Sequence, residues 1–440
     1  MSRLRYRSGA VLLSAAGLSL ALAGFGSVAS AASVAHRAAG ANKVVHITYW
    51  AGHSSGALHQ AVVAEVKQFN ATHRDIRVTF HAIGASHHGL AAFEAGQAPN
   101  VGMVSGYIVP QLAQAGAIVK LNSWVSGKQG LTPAQLKQLY YPVVWQDMKE
   151  PNGAQYLMPL EKKSLLVIYY NEQLFKKAGI TTPPTTWAQV GQDAEKITKL
   201  GSKYHGIAWT PSLHQYLDIV RADGGRVFAT KTHRTKFVLN NPQAKTALGM
   251  LRSWVKNGSM ILTTGYQYQL DFGTGDVGML IDASAGYTYD KGSVGGKFTM
   301  GGIPAPSGLS GHSAQYINGA SLVMFNVGNQ AQKQASWTFM KWLSSPKTNA
   351  YWDEHTNYLP LGPQEYQMMK PFYAKHPAQA ASFSNPANWW FKPRNANFEA
   401  AKGAMESPYD KALMGQLSVG AALNEMDREG TGYLTGKIKG

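Results

Sequence analysis

From residue 44 onward, short apolar runs alternate between strand and helix periods. Val44-Val45-His46-Ile47-Thr48-Tyr49-Trp50 predicts a strand. Val62, Val63, Val66 and Phe69 share one face of a helix expected from Leu58 to Asn70. Ile76 to Phe80 alternates apolar and polar residues, the pattern of a second strand. A helix from Gly89 to Glu94, ended by Gly96, and a strand from Val101 to Val104 come next. Strand–helix–strand–helix–strand at this short spacing predicts an α/β fold, with a mostly parallel, doubly wound sheet and helices on both faces.

The stretch from Met158 to Val190 carries a more particular order. Leu165-Leu166-Val167-Ile168-Tyr169-Tyr170 is continuously apolar and aromatic, as in a strand covered on both faces. Asn171 can cap the short helix after it, and Gly179 can end that helix. Pro183-Pro184 blocks continuation, and Thr186 before Trp187 is a new N-cap. Further on, helices are expected at Trp187–Leu200, Pro242–Asn257 and Gln330–Leu343. Strands are expected within Phe272–Ile281, Phe298–Ile303 and Leu322–Phe325.

Length changes this picture: 440 residues exceed what one core accommodates, so two lobes are expected. A hydrophobic fraction of 45% argues for packed globular structure rather than disorder. The formal charge is +17, but Lys and Arg are scattered, with no run of five. That excludes a dedicated nucleic-acid arm and fits attraction to anionic surfaces or solutes. Arg3, Arg5 and Arg7, the apolar stretch from Gly9 to Phe25 and Ala29-Ser30-Ala31 together read as an export signal over 1–31. Residues 32–43 read as a linker. The chain has no cysteine, which excludes disulfides and an N-terminal lipid anchor on Cys. A periplasmic or cell-wall location is expected.

Catalytic motifs are sparse. Gly273-Thr274-Gly275-Asp276-Val277-Gly278 matches a dinucleotide fingerprint formally, but Met279-Leu280-Ile281 directly after it is strand-like. We read it as a glycine turn leading into a strand. His87-His88 lacks a third ligand at metal spacing and reads as two loop histidines. No nucleophile or metalloprotease motif occurs. Paired glycosidase carboxylates leave no linear signature, which keeps a secreted carbohydrate-active hydrolase as the rival reading. Aromatic residues stand near predicted strand ends: Trp50, Tyr107, Trp145, Trp209, Tyr287, Tyr316, Tyr358, Trp389 and Trp390. Ligands gather at the carboxyl ends of strands in doubly wound folds, and aromatic faces there suit sugar rings. Taken singly, each is read first as core packing.

Four blocks resemble the family 1 extracellular solute-binding proteins, which deliver substrates to ABC importers. They are Ile47–Trp50 with Gln68-Phe69-Asn70; Ala91–Val101; the Met158–Val190 segment; and Ile317–Leu322 followed by Trp337–Leu343 and Asn357–Pro360. Lys176-Lys177-Ala178-Gly179 and Tyr358-Leu359-Pro360 look most like the branch that binds glycerol 3-phosphate and its diesters. The resemblance implies a two-lobed, type II periplasmic-binding fold with a hinge between its lobes. Lobe 1 is expected at 44–163 and 299–346, and lobe 2 at 164–298 and 347–440. It also implies ligand contacts at Ser164, Gly319 and Tyr358, with Ser284 one place from a contacting serine.

Three departures bear on the ligand. Ala82 stands where that branch has a tyrosine, Gly106 where it has a glutamate, and Lys402, with Arg394 nearby, where it has a phosphate-binding arginine. Lysine holds phosphate as a point charge without the bidentate fork. A sugar, oligosaccharide or glycerophosphodiester is therefore the expected ligand, with glycerol 3-phosphate as the alternative. The candidate contacts are Trp50, Ser164, Ser284, Gly319 and Tyr358, then Tyr107, Trp209, Trp389, Arg394 and Lys402. No cofactor, metal, catalysis or nucleic acid is implied. The expected partners are the small-molecule solute and a membrane permease that recognises the closed monomer.

Overall fold

The computed structural model describes residues 44–230 and 234–438. The export signal expected at 1–31 and the linker at 32–43 lie outside the described residues. The strands run in chain order as β1 (Val45–Trp50), β2 (Ile76–His81), β3 (Val101–Ser105), β4 (Met158–Pro159), β5 (Lys163–Ser164) and β6 (Val167–Asn171). β7 (His205–Trp209), β8 (Met260–Leu262), β9 (Val277–Asp282) and β10 (Met300–Ile303) come next. β11 (Gln315–Asn318), β12 (Ala320–Met324) and β13 (Trp389–Trp390) complete the series.

These strands form three sheets. The first has the order β2-β1-β3-β12-β4, with β1, β2 and β3 parallel and β12 antiparallel to both β3 and β4. The second has the order β10-β6-β9-β7-β8, with β7, β8 and β9 parallel and β6 and β10 antiparallel. Each is a parallel trio extended by antiparallel strands where the chain changes sheets. The third sheet, β13-β11-β5, is the junction. The chain crosses from the first sheet to the second through β5 and returns through β11, and these two pair antiparallel, Ile317 opposite Ser164.

The lobe boundaries fall elsewhere than the sequence suggested. Residues 299–346 were expected in lobe 1, but β10 pairs with β6 in the second sheet. The return to the first sheet comes at β12. Residues from 347 were expected in lobe 2, yet helix Pro346–Thr356 packs on helix Gly56–Thr72, and helix Pro363–Lys375 on helix Pro133–Leu139. Trp352, Leu359 and Leu361 join the core built on Ile47, Phe69 and Trp337. The partner that buries an apolar face is a tertiary choice, which local periodicity does not carry.

Local signals were otherwise obeyed. The Asn171 side chain accepts from Leu174 N, and Gly179 takes a left-handed φ of 69°. Thr186 and Gln189 form a reciprocal capping box at helix Trp187–Thr198. We expect Thr186→Ala to cost about 1 kcal/mol in urea unfolding, because one first-turn donor loses its acceptor. Two expectations differ. Phe272 lies in helix Gln267–Gly273, where it packs against Phe298 at 5.1 Å, and the strand starts only at Val277 after the glycine turn. His87 and His88 lie on helix Ala85–Glu94 and are exposed, because that helix starts before the predicted Gly89. No helix of the described residues is long and apolar enough to cross a membrane.

Candidate functional site

The crossing between lobes is held by buried polar side chains. Gln315 Nε2 donates to Ser164 Oγ at 2.9 Å, Leu166 O at 3.1 Å and Ser382 O at 3.2 Å. Its Oε1 accepts from Trp389 Nε1 at 3.0 Å. Where β11 passes into β12, Glu161 accepts from Ala320 N and meets His53 Nε2 at 2.9 Å. Burial pushes the Glu161 carboxyl up, but His53, Lys163 and the Ala320 amide outweigh it and hold it below its usual range. Lys162 is buried and donates to Ala320 O and Ser321 Oγ. Burial lowers its pKa to about 8, against the pull of Asp147.

Turns beyond the carboxyl ends of parallel strands carry the next candidates. The turn after β3 presents Tyr107, and Lys392 Nζ of the opposite lobe lies 4.8 Å from its ring centre. Lys392 also reaches Glu399 at 2.6 Å and stands 5.9 Å from the Phe398 ring. Beyond the end of β7, His214 stacks on Tyr316 at 4.3 Å and lies 6.2 Å from Phe398. Burial, with Lys402 and Lys392 adding to it, pushes the His214 pKa down to about 3, so the imidazole is neutral. Among the described residues its buried Nε2 has no hydrogen-bond partner. An unsatisfied buried nitrogen beside an aromatic face suits a ligand hydroxyl or phosphoryl oxygen.

Loop 391–397 is fastened to the second lobe. Trp390 Nε1 donates to Asp218 at 2.6 Å, Asn395 Nδ2 to Leu434 O at 2.9 Å, and Asn397 Nδ2 to Tyr433 O at 3.1 Å. From this loop Arg394 reaches Asp147 of the first lobe, Nη2 to Oδ1 at 3.1 Å, and also bonds the Asp147 carbonyl. Its guanidinium fills the space where a Cβ at Gly106 would stand. Glycine at 106 thus makes room for Arg394. Among the described residues, Arg234 bonds the Phe391 and Lys392 carbonyls and no carboxylate. The groove between segments 143–153 and 389–395 encloses about 700 Å³, within the ~300–1,000 Å³ of small-molecule sites.

The predicted residues therefore divide. Arg394 lines this groove, Tyr107 stands beside Lys392 in the turn after β3, and Lys402 is drawn toward Glu406 at 2.7 Å on its own helix. Ser284, in the turn after β9, is buried with its Oγ unpartnered among the described residues. Gly319 lies at the return crossing, and Tyr358 is buried against Trp352 at 5.5 Å with Lys163 over its ring. Four others are spent internally. The Ser164 hydroxyl exchanges bonds with Leu166 and Gln315. Trp209 is buried and donates to Gln215 at 2.5 Å. Trp389 gives its indole N–H to Gln315 although its ring lines the groove, and Trp50 packs partly buried on the cluster around Val104 and Phe325. Sequence reasoning missed His214, Lys392, Asp147 and Arg234. His214 alone had a usable signal, since it opens the helix directly beyond a parallel strand.

Residues 53–350 match the bacterial extracellular solute-binding protein family, and the chain belongs to it. Among its relatives is the sn-glycerol-3-phosphate-binding periplasmic protein of Agrobacterium fabrum, 24% identical over 87% of this chain and 91% of that protein. The protein of the same name in Brucella abortus is 26% identical over 76% and 79%. The fold is shared with the cyclic alpha-maltosyl-1,6-maltose binding protein of Arthrobacter globiformis, at TM-score 0.76 and 19% identity, covering 89% of this chain and 100% of that one. UgpB of Mycobacterium tuberculosis in complex with glycerophosphocholine aligns at TM-score 0.75 and 17% identity, covering 89% and 99%.

Proposed function

We propose that this protein is the exported, monomeric substrate-binding component of an ABC importer. Its ligand is a polyol carrying an anionic phosphoryl group, of the glycerophosphodiester class. The observation that carries this is the imbalance of charge at the cleft. The Asp147 carboxylate is surrounded by Arg394, Lys162, Arg234 and Lys392. Of these, Lys162 and Arg234 bond only neutral oxygens among the described residues. An anion entering the groove meets Arg394 and Arg234, and Arg234 has no carboxylate hydrogen-bonded to it among the described residues. The aromatic surfaces of Tyr107, Phe398 and Tyr316 suit the carbon face of the polyol. Relatives named for glycerol 3-phosphate support the same class.

The ligand would be touched by Tyr107, His214, Ser284, Lys392, Arg394 and Lys402, drawn from both lobes. Only closure assembles this set, so binding favours the closed form that a permease would engage. No covalent step is needed.

A thermal-shift screen of the mature protein tests the reading. sn-Glycero-3-phosphocholine at about 100 times its Kd should add roughly 2.7 kcal/mol of stability by mass action. Maltotriose should shift the melt less. Stabilisation by maltotriose alone would replace the anionic reading with a neutral-sugar one. Hydrolysis of either compound would defeat the transport reading.

A further inference from the structure

We propose that Asp147 sets the threshold for anion binding at this cleft: its carboxylate is an intramolecular occupant of Arg394, which an anionic ligand group must displace. The inference rests on the solute-binding function proposed for the cleft and adds a residue that function does not need.

The pair is built across the lobes. Arg394 belongs to the loop fastened on the second lobe by Trp390, Asn395 and Asn397. Asp147 ends helix Pro142–Gln146 of the first lobe, where its neighbours Val144 and Met148 are fully buried in the core. Both backbones are therefore pinned, and only side-chain rotation or lobe opening can part them. The Arg394 side chain is 9% exposed and that of Asp147 13%. Each would be left buried without its charge partner if the other left, so something must take its place.

Arg394 also has capacity in reserve. Nη2 serves Asp147, while the buried Nε has no acceptor among the described residues. A phosphoryl group has the oxygens to take the Asp147 position and satisfy Nε together, which one carboxylate at this position does not do. Glu150, half-buried nearby, is the other acid in the field of Arg394. Asp147 thus sets a threshold: a neutral polyol leaves the pair intact, and an anion must outcompete it.

Titration calorimetry with sn-glycero-3-phosphocholine decides the matter. Asp147→Asn keeps the shape and removes the charge, so the phosphodiester should bind about tenfold tighter. Asp147→Glu, which restores a carboxylate, should return the affinity to near the wild-type value. In the double variant Asp147→Asn/Arg394→Gln the gain should vanish, because the competed group is gone. Near-UV circular dichroism checks the fold, and Asp147→Ser replaces the amide variant if that fails to fold. Unchanged or weaker binding in the charge-removed variant overturns the proposal, as does a gain that persists in the double variant. If the wild type binds no phosphodiester at all, the functional reading falls first and takes this one with it. If it binds and the variants match it, only this one falls.

Discussion

Glu365→Gln is expected to stabilise the protein by several kcal/mol above pH 8 and to change little below about pH 4.5. Glu365 and Asp353 meet between helices Pro346–Thr356 and Pro363–Lys375, each almost wholly buried. Glu365 accepts from Leu361 N at 2.9 Å, but no cation is hydrogen-bonded or ion-paired to either carboxyl among the described residues. Burial raises the pKa of Glu365 from 4.5 to about 8. Burial also raises Asp353, with Glu365, Glu354 and Glu65 adding to it. The folded state must therefore hold protons that the unfolded chain releases.

That difference sets the direction of the pH dependence. Below pH 4.5 both states are protonated at Glu365, and the site is neutral toward folding. As pH rises toward 8, the unfolded chain ionises while the folded one does not, so stability falls. A tenfold difference in proton affinity between the two states is worth about 1.4 kcal/mol, which gives an upper bound of roughly 5 kcal/mol above pH 8. Glutamine carries no proton to lose and removes the Glu365 share of the decline, leaving that of Asp353. Urea unfolding at pH 5, 7 and 9 reads this directly. A wild type whose stability is flat across that range would show that the two carboxyls do not share buried protons.

The second large effect is expected at Gly319. Its φ of 148° is one that side chains rarely adopt, and a Cβ there would run into the Glu161 carbonyl. Residues 161 and 319 lie on the two crossings between lobes, where β5 and β11 pair. Gly319→Ala must spread those crossings or strain its own backbone, at a cost of about 2–4 kcal/mol. Spreading also loosens the Lys162 bonds to Ala320 O and Ser321 Oγ, which lie at 3.1 and 2.9 Å. Ligand affinity should fall by tenfold or more, since the closed form depends on the crossing geometry. A variant within 0.5 kcal/mol of wild type in urea would refute the steric argument. The sequence resemblance assigned Gly319 to the ligand; the packing supplies a reason for glycine here that needs no ligand.

Several features were legible because they depend on near neighbours. The caps at Asn171 and Thr186 and the stop at Gly179 arise from residues a few positions apart. Phe272 misled for the same reason: an apolar run before a glycine turn is compatible with helix or strand, and contact with Phe298 decided it. The ligand candidates fared unevenly, because residue type does not say where a hydroxyl or indole N–H finds its partner. Ser164 and Trp209 look like ligand groups until Gln315 and Gln215 are seen to satisfy them.

By itself, the sequence determined the α/β class, the two-lobed design and the family, carried by short-range periodicity, chain length and motif order. Only the tertiary structure decided which lobe receives 299–313 and 347–375, since strand partners and buried helix faces are chosen at long range. It alone brought Asp147, more than two hundred residues earlier in the chain, against Arg394, and His214 between Tyr316 and Phe398. Charge and hydrogen-bond balance at a cleft is a property of three-dimensional neighbours, and that balance is what points to an anionic polyol.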